Sequence, residues 1–422
     1  MSRLQRRSGF PSLAHLLRLR REAISTHPRR YIRMLLVCLV ALLVIDAVAG
    51  WPFLRTRLQA VTVLDRVGNQ PVPAPLRRLV SEPVTATELT LPLPSGAVRA
   101  RMYTPVNHPD APAIMVVHGV HYLGMDEPRL ESFASAMASC GLRVLTPELP
   151  DIKDYHIGPS SIATIGDAAT WLAKQGRPSL HGNKSQVTPV GVVPVGIMGL
   201  SFSGSLSLLA AAEPQYHPYI KFVVAVGSED EMLRVASYYL TGSALRPSGD
   251  AEILAPHEYG ALVLEYENLE DFVPAPDRDA VRLVLRNHLY EDAPGERAAL
   301  AKLTPTQMAE AKQLMDTTSP ITRRMIAQSD ARHVAAMTSV SPNGRLGQLA
   351  TPVFLLHGEA DNIIPSAETQ WLEKDIPQQD MQASLISPVI SHLDLDDKGP
   401  TFADEWRLVR FFAKVLHAAE SR

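Results

Sequence analysis

Ser201 is the residue of this chain best placed to act as a nucleophile. It ends an apolar run, Val195-Gly196-Ile197-Met198-Gly199-Leu200, and leads through Phe202-Ser203-Gly204 into a helix-like stretch, Leu206 to Ala212. A serine hydroxyl attacks only when it stands clear of the backbone within reach of a base, and a sharp strand-to-helix turn presents it that way. Such a turn crowds the positions two before and two after the serine, here Gly199 and Ser203, both small. The pattern is Gly-x-Ser-x-Ser, with a further glycine one place late at Gly204. Taken alone, it also fits an ordinary strand-to-helix turn.

Three other segments supply what a serine nucleophile lacks, in the chain order serine, acid, histidine. Ala111 to Val117 reads as a buried strand running into His118-Gly119-Val120-His121, where a backbone N–H can face an attacked carbonyl. Thr351 to Leu356 is another short apolar run, and Asp361 lands just past its end. Ala383 to Ile390 is a last strand-like run, with His392 on the loop after it. A histidine would take the serine's proton, and a carboxylate would hold the imidazole in the right tautomer. Glu229 and Asp230, which follow a strand ending near Val226, remain alternatives for the acid. His121, His156 and His257 read as solvated or core residues, with pocket lining as the other reading.

The elements that must carry these residues alternate. Thr85 to Leu93 and Val98 to Thr104 flank Pro94-Ser95-Gly96 as a hairpin, and helix-like Pro128 to Ser139 and Ser161 to Lys174 fall between the apolar runs. That alternation calls for a mostly parallel sheet with helices on both faces. Together the motifs resemble the α/β-hydrolase superfamily, in its serine esterase and dienelactone-hydrolase-like branches, over roughly residues 84 to 228 and 350 to 422. The resemblance implies an α/β-hydrolase fold with Ser201 as nucleophile, Asp361 as acid and His392 as base. It also implies an oxyanion hole made by the N–H groups of Val120 and Phe202. Two departures stand out: Ser203 occupies the usual glycine position, and the nucleophile is serine where dienelactone hydrolases typically carry cysteine, so lactone hydrolysis is not implied.

More than a hundred residues separate Ser228 from the strand at Thr351, and apolar positions within them fall at helical spacing: Met232, Val235, Ala236, Tyr239 and Leu240, then Val281, Val284, Leu285 and Leu289. This stretch, 229–349, is expected to be a helical cap over the serine; a helical layer packed elsewhere is the alternative.

The N-terminus carries a separate signal. Residues 1–33 hold nine arginines against one acid, Glu22, although the whole chain carries a formal −3. Met34 to Ile45 follows as an uncharged apolar run. Arginine resists translocation, so the pattern reads as a basic cytoplasmic flank, 1–33, before a transmembrane anchor, 34–53, with the catalytic body outside. Ala47-Val48-Ala49 also suits signal-peptidase cleavage, the alternative being an exported protein cut near Ala49. Residues 54–83, with Pro71, Pro73 and Pro75, are expected to be a stalk.

A chain of 422 residues with 46% hydrophobic content is long enough for one large catalytic unit, and its two cysteines give no disulfide framework. No metal-binding or nucleotide motif is present, so neither cofactor nor metal is expected. The expected activity is hydrolysis of a carboxylic ester or related acyl bond on a small molecule. A catalytically silent hydrolase-fold binding protein at the membrane is the alternative. No nucleic-acid partner is expected, and the oligomeric state is left open.

Overall fold

The computed structural model describes residues 50–68, 70–176, 191–390 and 401–421. They fall in two compact units, one ending at Arg55 and the other running from Thr56. Of the first, residues 50–55 are described and are helical. The apolar run Met34 to Ile45, on which the anchor was expected, lies outside the described residues. Among those described, no helix is long and apolar enough to cross a membrane.

The second unit is organised by an eight-stranded sheet. Its strands are β1 (Val84–Leu93), β2 (Gly96–Pro105), β3 (Ala113–Val117), β4 (Arg143–Pro147), β5 (Val195–Leu200), β6 (Ile220–Val226), β7 (Val353–Gly358) and β8 (Met381–Ser387). They lie in the order β1-β2-β4-β3-β5-β6-β7-β8. β2 runs antiparallel to both neighbours, and all other pairings are parallel. This is the α/β-hydrolase fold that the motif order implied.

The central strands read as unbroken apolar runs because both faces are covered. Side chains alternate across a strand. Met115 and Val117 of β3, with Ile197 of β5 and Val223 of β6, join a core that includes Ile162, Ile165, Leu206 and Leu209 of helices Ser160–Lys174 and Phe202–Ala212. Ile114 and Val116, with Met198 and Val224, face Met137 of helix Pro128–Ser139 and Phe412 of helix Phe402–Glu420.

The expected stalk is corrected. Residues 56–67 form a helix whose Ala60 and Val63 are fully buried in that second core, and Ala74–Val80 is a short helix started by Pro73. The prolines cluster after the first of these helices and do not interrupt it; its one-sided burial is too short to show as a sustained period.

The insertion after β6 is helical, as its spacing suggested. It contains helices Met232–Thr241, Glu258–Glu267, Arg278–Leu289, Ala293–Leu300, Pro305–Met315 and Pro320–Ser339, with a small hairpin pairing Ser243–Leu245 with Ala251–Ile253. Met232, Val235, Ala236 and Tyr239, and likewise Val281, Val284, Leu285 and Leu289, are buried. Leu240 is partly buried.

Candidate active site

Sheet register brings the described candidate residues to one edge. Val117 pairs with Gly199 and Leu200 with Val226, while Val226 pairs with Leu356 and Gly358 with Ser387. The loops that follow β3, β5, β6, β7 and β8 therefore emerge side by side at the carboxyl ends of parallel strands, where open α/β sheets bind ligands.

Ser201 occupies a strained backbone conformation, φ 55° and ψ −137°, between β5 and helix Phe202–Ala212. A non-glycine residue at positive φ costs on the order of 1–3 kcal/mol and persists only where its surroundings hold it. Here its N–H donates to Val226 O at 2.7 Å, and its carbonyl accepts from Gly204 N and from Ser228 Oγ, both at 2.9 Å. The neighbours must be small. A Cβ on Gly199 would lie 2.4 Å from the Ser203 carbonyl oxygen, and one on Gly204 would lie 1.9 Å from Ser228 Oγ. Ser203, in the position where glycine is usual, is fully buried, and its Oγ donates to His118 O at 2.5 Å.

The segment 118–121 is fixed through its carbonyls. His118 O accepts from Ser203, Gly119 O pairs with His118 Nδ1 at 2.8 Å, Val120 O accepts from Tyr259 Oη at 3.0 Å, and His121 O accepts from Gly124 N at 2.9 Å. Leu149 N–H donates to His118 Nε2 at 2.9 Å, which puts the ring proton on Nδ1, where it donates to Gly119 O. Burial pushes His118 down to about 4, so the ring is neutral and acts as a strut. With its carbonyls occupied, the loop keeps the N–H groups of Gly119, Val120 and His121 without hydrogen bonds among the described residues. Gly119 lies beside the serine: a Cβ there would sit 3.0 Å from Ser201 Cβ. The Phe202 N–H is at the first position of its helix, where no intrahelical acceptor exists.

Asp361 is fully buried on the loop after β7. Its Oδ1 accepts from the N–H groups of Ile363 and Ile364 at 2.9 and 3.0 Å, and its Oδ2 lies 3.5 Å from His357 Nε2. His392 lies outside the described residues. The two alternative acids are engaged or isolated. Asp230 Oδ2 is 3.2 Å from Arg234, whose guanidinium also binds Glu368 at 2.9 Å, and burial together with Asp375 and Glu368 pushes Asp230 up to about 7. Glu229 is fully buried, neither carboxyl oxygen has a hydrogen-bond partner among the described residues, and burial raises it well above the usual carboxylate range.

The helical insertion meets both loops. Tyr259 reaches Val120, while His257 N–H and Tyr238 Oη donate to Asn362 O, next to Asp361, at 2.9 and 3.2 Å. The rings of His121 and Tyr122, and of Tyr122 and Tyr290, stack at 4.8 Å, and the Tyr155 ring lies 5.7 Å from that of Tyr290. His121 therefore belongs to this stack. His257 caps its helix by accepting from Tyr259 N, and His156 lies edge-on to Tyr266. Sequence reasoning missed Ser228, Tyr259 and the strut role of His118. Only Ser228 had a signal, its place two residues past a strand end. Among the described residues, no group of three His, Cys, Asp or Glu side chains is arranged to hold a metal ion.

No protein-family model matches the chain, and no curated sequence matches it. Solved structures similar to it include brefeldin A esterase, described as a bacterial homologue of human hormone-sensitive lipase, at 14% identity over 86% of this chain and 87% of that one, with a TM-score of 0.45. An esterase of Pyrobaculum calidifontis is similar at 15% identity over 87% and 92%, with a TM-score of 0.38. Carboxyl esterase 2 of the fungus Tuber melanosporum is similar at 18% over 80% and 88%, with a TM-score of 0.41. These values are too low to carry an activity across.

Proposed function

We propose that the chain is a serine hydrolase that cleaves a carboxylic ester or related acyl bond. The observation that carries this reading is the strained φ of Ser201, held at a strand end beside the 119–121 loop, whose N–H groups have no hydrogen bond among the described residues. In this reading Ser201 Oγ attacks the acyl carbon as His392 takes its proton, and Asp361 holds the imidazole and stabilises its charge. The oxyanion formed is met by the N–H groups of Val120 and Phe202, each worth on the order of 3 kcal/mol. Collapse expels the alcohol, which takes the proton from His392, and water then hydrolyses the acyl-enzyme by the same steps. Asp361 is favoured over Asp230 because Asp230 is turned to Arg234. Serine as nucleophile favours an esterase over a dienelactone-hydrolase type of reaction.

A catalytically silent fold would need the Ser203 variant to spoil the turn. The Ser203 hydroxyl is instead accommodated on His118, which weighs against that alternative. The test is labelling by a fluorophosphonate together with turnover of p-nitrophenyl esters of graded chain length. Both should occur in the wild type and vanish in Ser201→Ala; a wild-type protein that neither labels nor turns over would sink the proposal. The arginine-rich flank further supports a membrane-tethered catalytic body on the extracytoplasmic side. Fractionation with membranes through a high-salt wash checks this, and a mature chain starting at Gly50 would replace the anchor with a cleaved signal.

A further inference from the structure

The cap holds a cavity of about 350 Å³ that the mechanism above does not use. Three helix ends meet around it: the start of Glu258–Glu267, the end of Arg278–Leu289 and the first turn of Ala293–Leu300. Its volume is within the roughly 300–1,000 Å³ of small-molecule pockets. Leu262 and Leu289 give it an apolar wall.

The cavity adjoins the candidate active site on two sides. Tyr259, from its wall, donates to the Val120 carbonyl at 3.0 Å. His257, also in the wall, donates its N–H at 2.9 Å to Asn362, the neighbour of Asp361. A group held in the cavity is thus about one side chain from the oxyanion loop.

Its polar wall has one sign. Glu258, Glu291 and Glu296 face it with His257 and His288, and among the described residues no lysine or arginine lines it. Three carboxylates outnumber two imidazoles even if both rings are protonated. His288 is already shared between Glu296 at 3.2 Å and Glu258 at 3.7 Å. Glu291 has no ion-pair partner among the described residues, and its backbone is held at φ 54°, a conformation costly for a non-glycine residue. Glu258 and Glu291 are exposed, and a cleft lined by charge of one sign concentrates ligands of the opposite sign.

We propose that this cavity selects esters carrying an ammonium group, an inference that rests on the ester-hydrolase reading above. The ammonium can sit on the alcohol side or on the acyl side, and two matched pairs distinguish them. Acetylcholine against 3,3-dimethylbutyl acetate places the charge on the alcohol. The p-nitrophenyl esters of 4-(trimethylammonio)butyrate and 5,5-dimethylhexanoate place it on the acyl group. In at least one pair the cationic member should show kcat/KM about tenfold above its neutral isostere, and raised salt should shrink that ratio. In Glu258→Gln/Glu291→Gln the ratio should fall toward one. Affinity of Ser201→Ala for the same pairs, read by calorimetry, should show the same preference without turnover. Ratios at or below one in both pairs, or a preference unmoved in the double variant, would overturn the proposal. If the wild type hydrolyses nothing while Ser201→Ala still prefers the cations, the ester-hydrolase reading fails and the cavity assignment stands.

Discussion

Ser203 Oγ donates to the His118 carbonyl across 2.5 Å, so the residue two places after the candidate nucleophile is bonded to the end of the neighbouring strand. Both groups are buried, and removing one leaves the other unsatisfied, a loss of about 1–3 kcal/mol. Ser203→Ala should therefore lower the urea midpoint while keeping ester turnover within about tenfold of wild type, whereas Ser201→Ala should keep the midpoint and lose turnover and fluorophosphonate labelling. An inactive Ser203→Ala of undiminished stability would make Ser203 the nucleophile.

Much of this was legible because a β-sheet repeats a simple rule. Apolar runs such as Val195 to Leu200 and Thr351 to Leu356 are needed wherever a strand is covered on both faces, so the strands bearing Ser201 and Asp361 stood out, and turn residues marked their ends. The supports were not legible, because they are long-range and polar. Ser203 meets His118 across 85 residues and Tyr259 meets Val120 across 139, and no local spacing encodes such contacts. The helix over 56–67 was missed for a related reason. Its buried face is defined by helix Pro128–Ser139 and its neighbours, far along the chain, and not by its own periodicity.

Gly199 should tolerate no side chain. The atom its Cβ would meet first, at 2.4 Å, is the backbone oxygen of Ser203, which cannot move without undoing the turn. Gly199→Ala should cost several kcal/mol, at the upper end of single substitutions, and give poorly folded protein. A Gly199→Ala variant with wild-type melting and wild-type turnover would show that the elbow is looser than this geometry.

Stability should depend on His118 with a definite sign. Burial holds its pKa down to about 4, against 6.5 for an ordinary histidine, so between those values the unfolded chain binds a proton that the folded chain refuses. The folded state is thus fully favoured above pH 6.5 and loses stability as the pH falls toward 4. His118→Gln keeps an acceptor for the Leu149 N–H but does not titrate. Urea unfolding of both proteins should show the variant gaining on the wild type by about 2–3 kcal/mol between about pH 7 and 4.5. A constant gap between the two would mean that His118 is charged in the folded protein.

The acid can be assigned by comparing two isosteric substitutions. In Asp361→Asn the amide oxygen can still accept from Ile363 and Ile364 N–H, so the loop after β7 should keep its shape while the carboxylate charge is lost. Turnover should drop on the order of 10³–10⁴-fold with little change in melting. Asp230→Asn removes a carboxylate from the buried Arg234 network, where Glu368 still binds the guanidinium through both oxygens. Its effect should fall on stability, with turnover within about tenfold of wild type. The opposite pattern, a mild loss at Asp361 and a severe one at Asp230 in a folded protein, would move the acid to the end of β6 and require the base to approach Ser201 from that side.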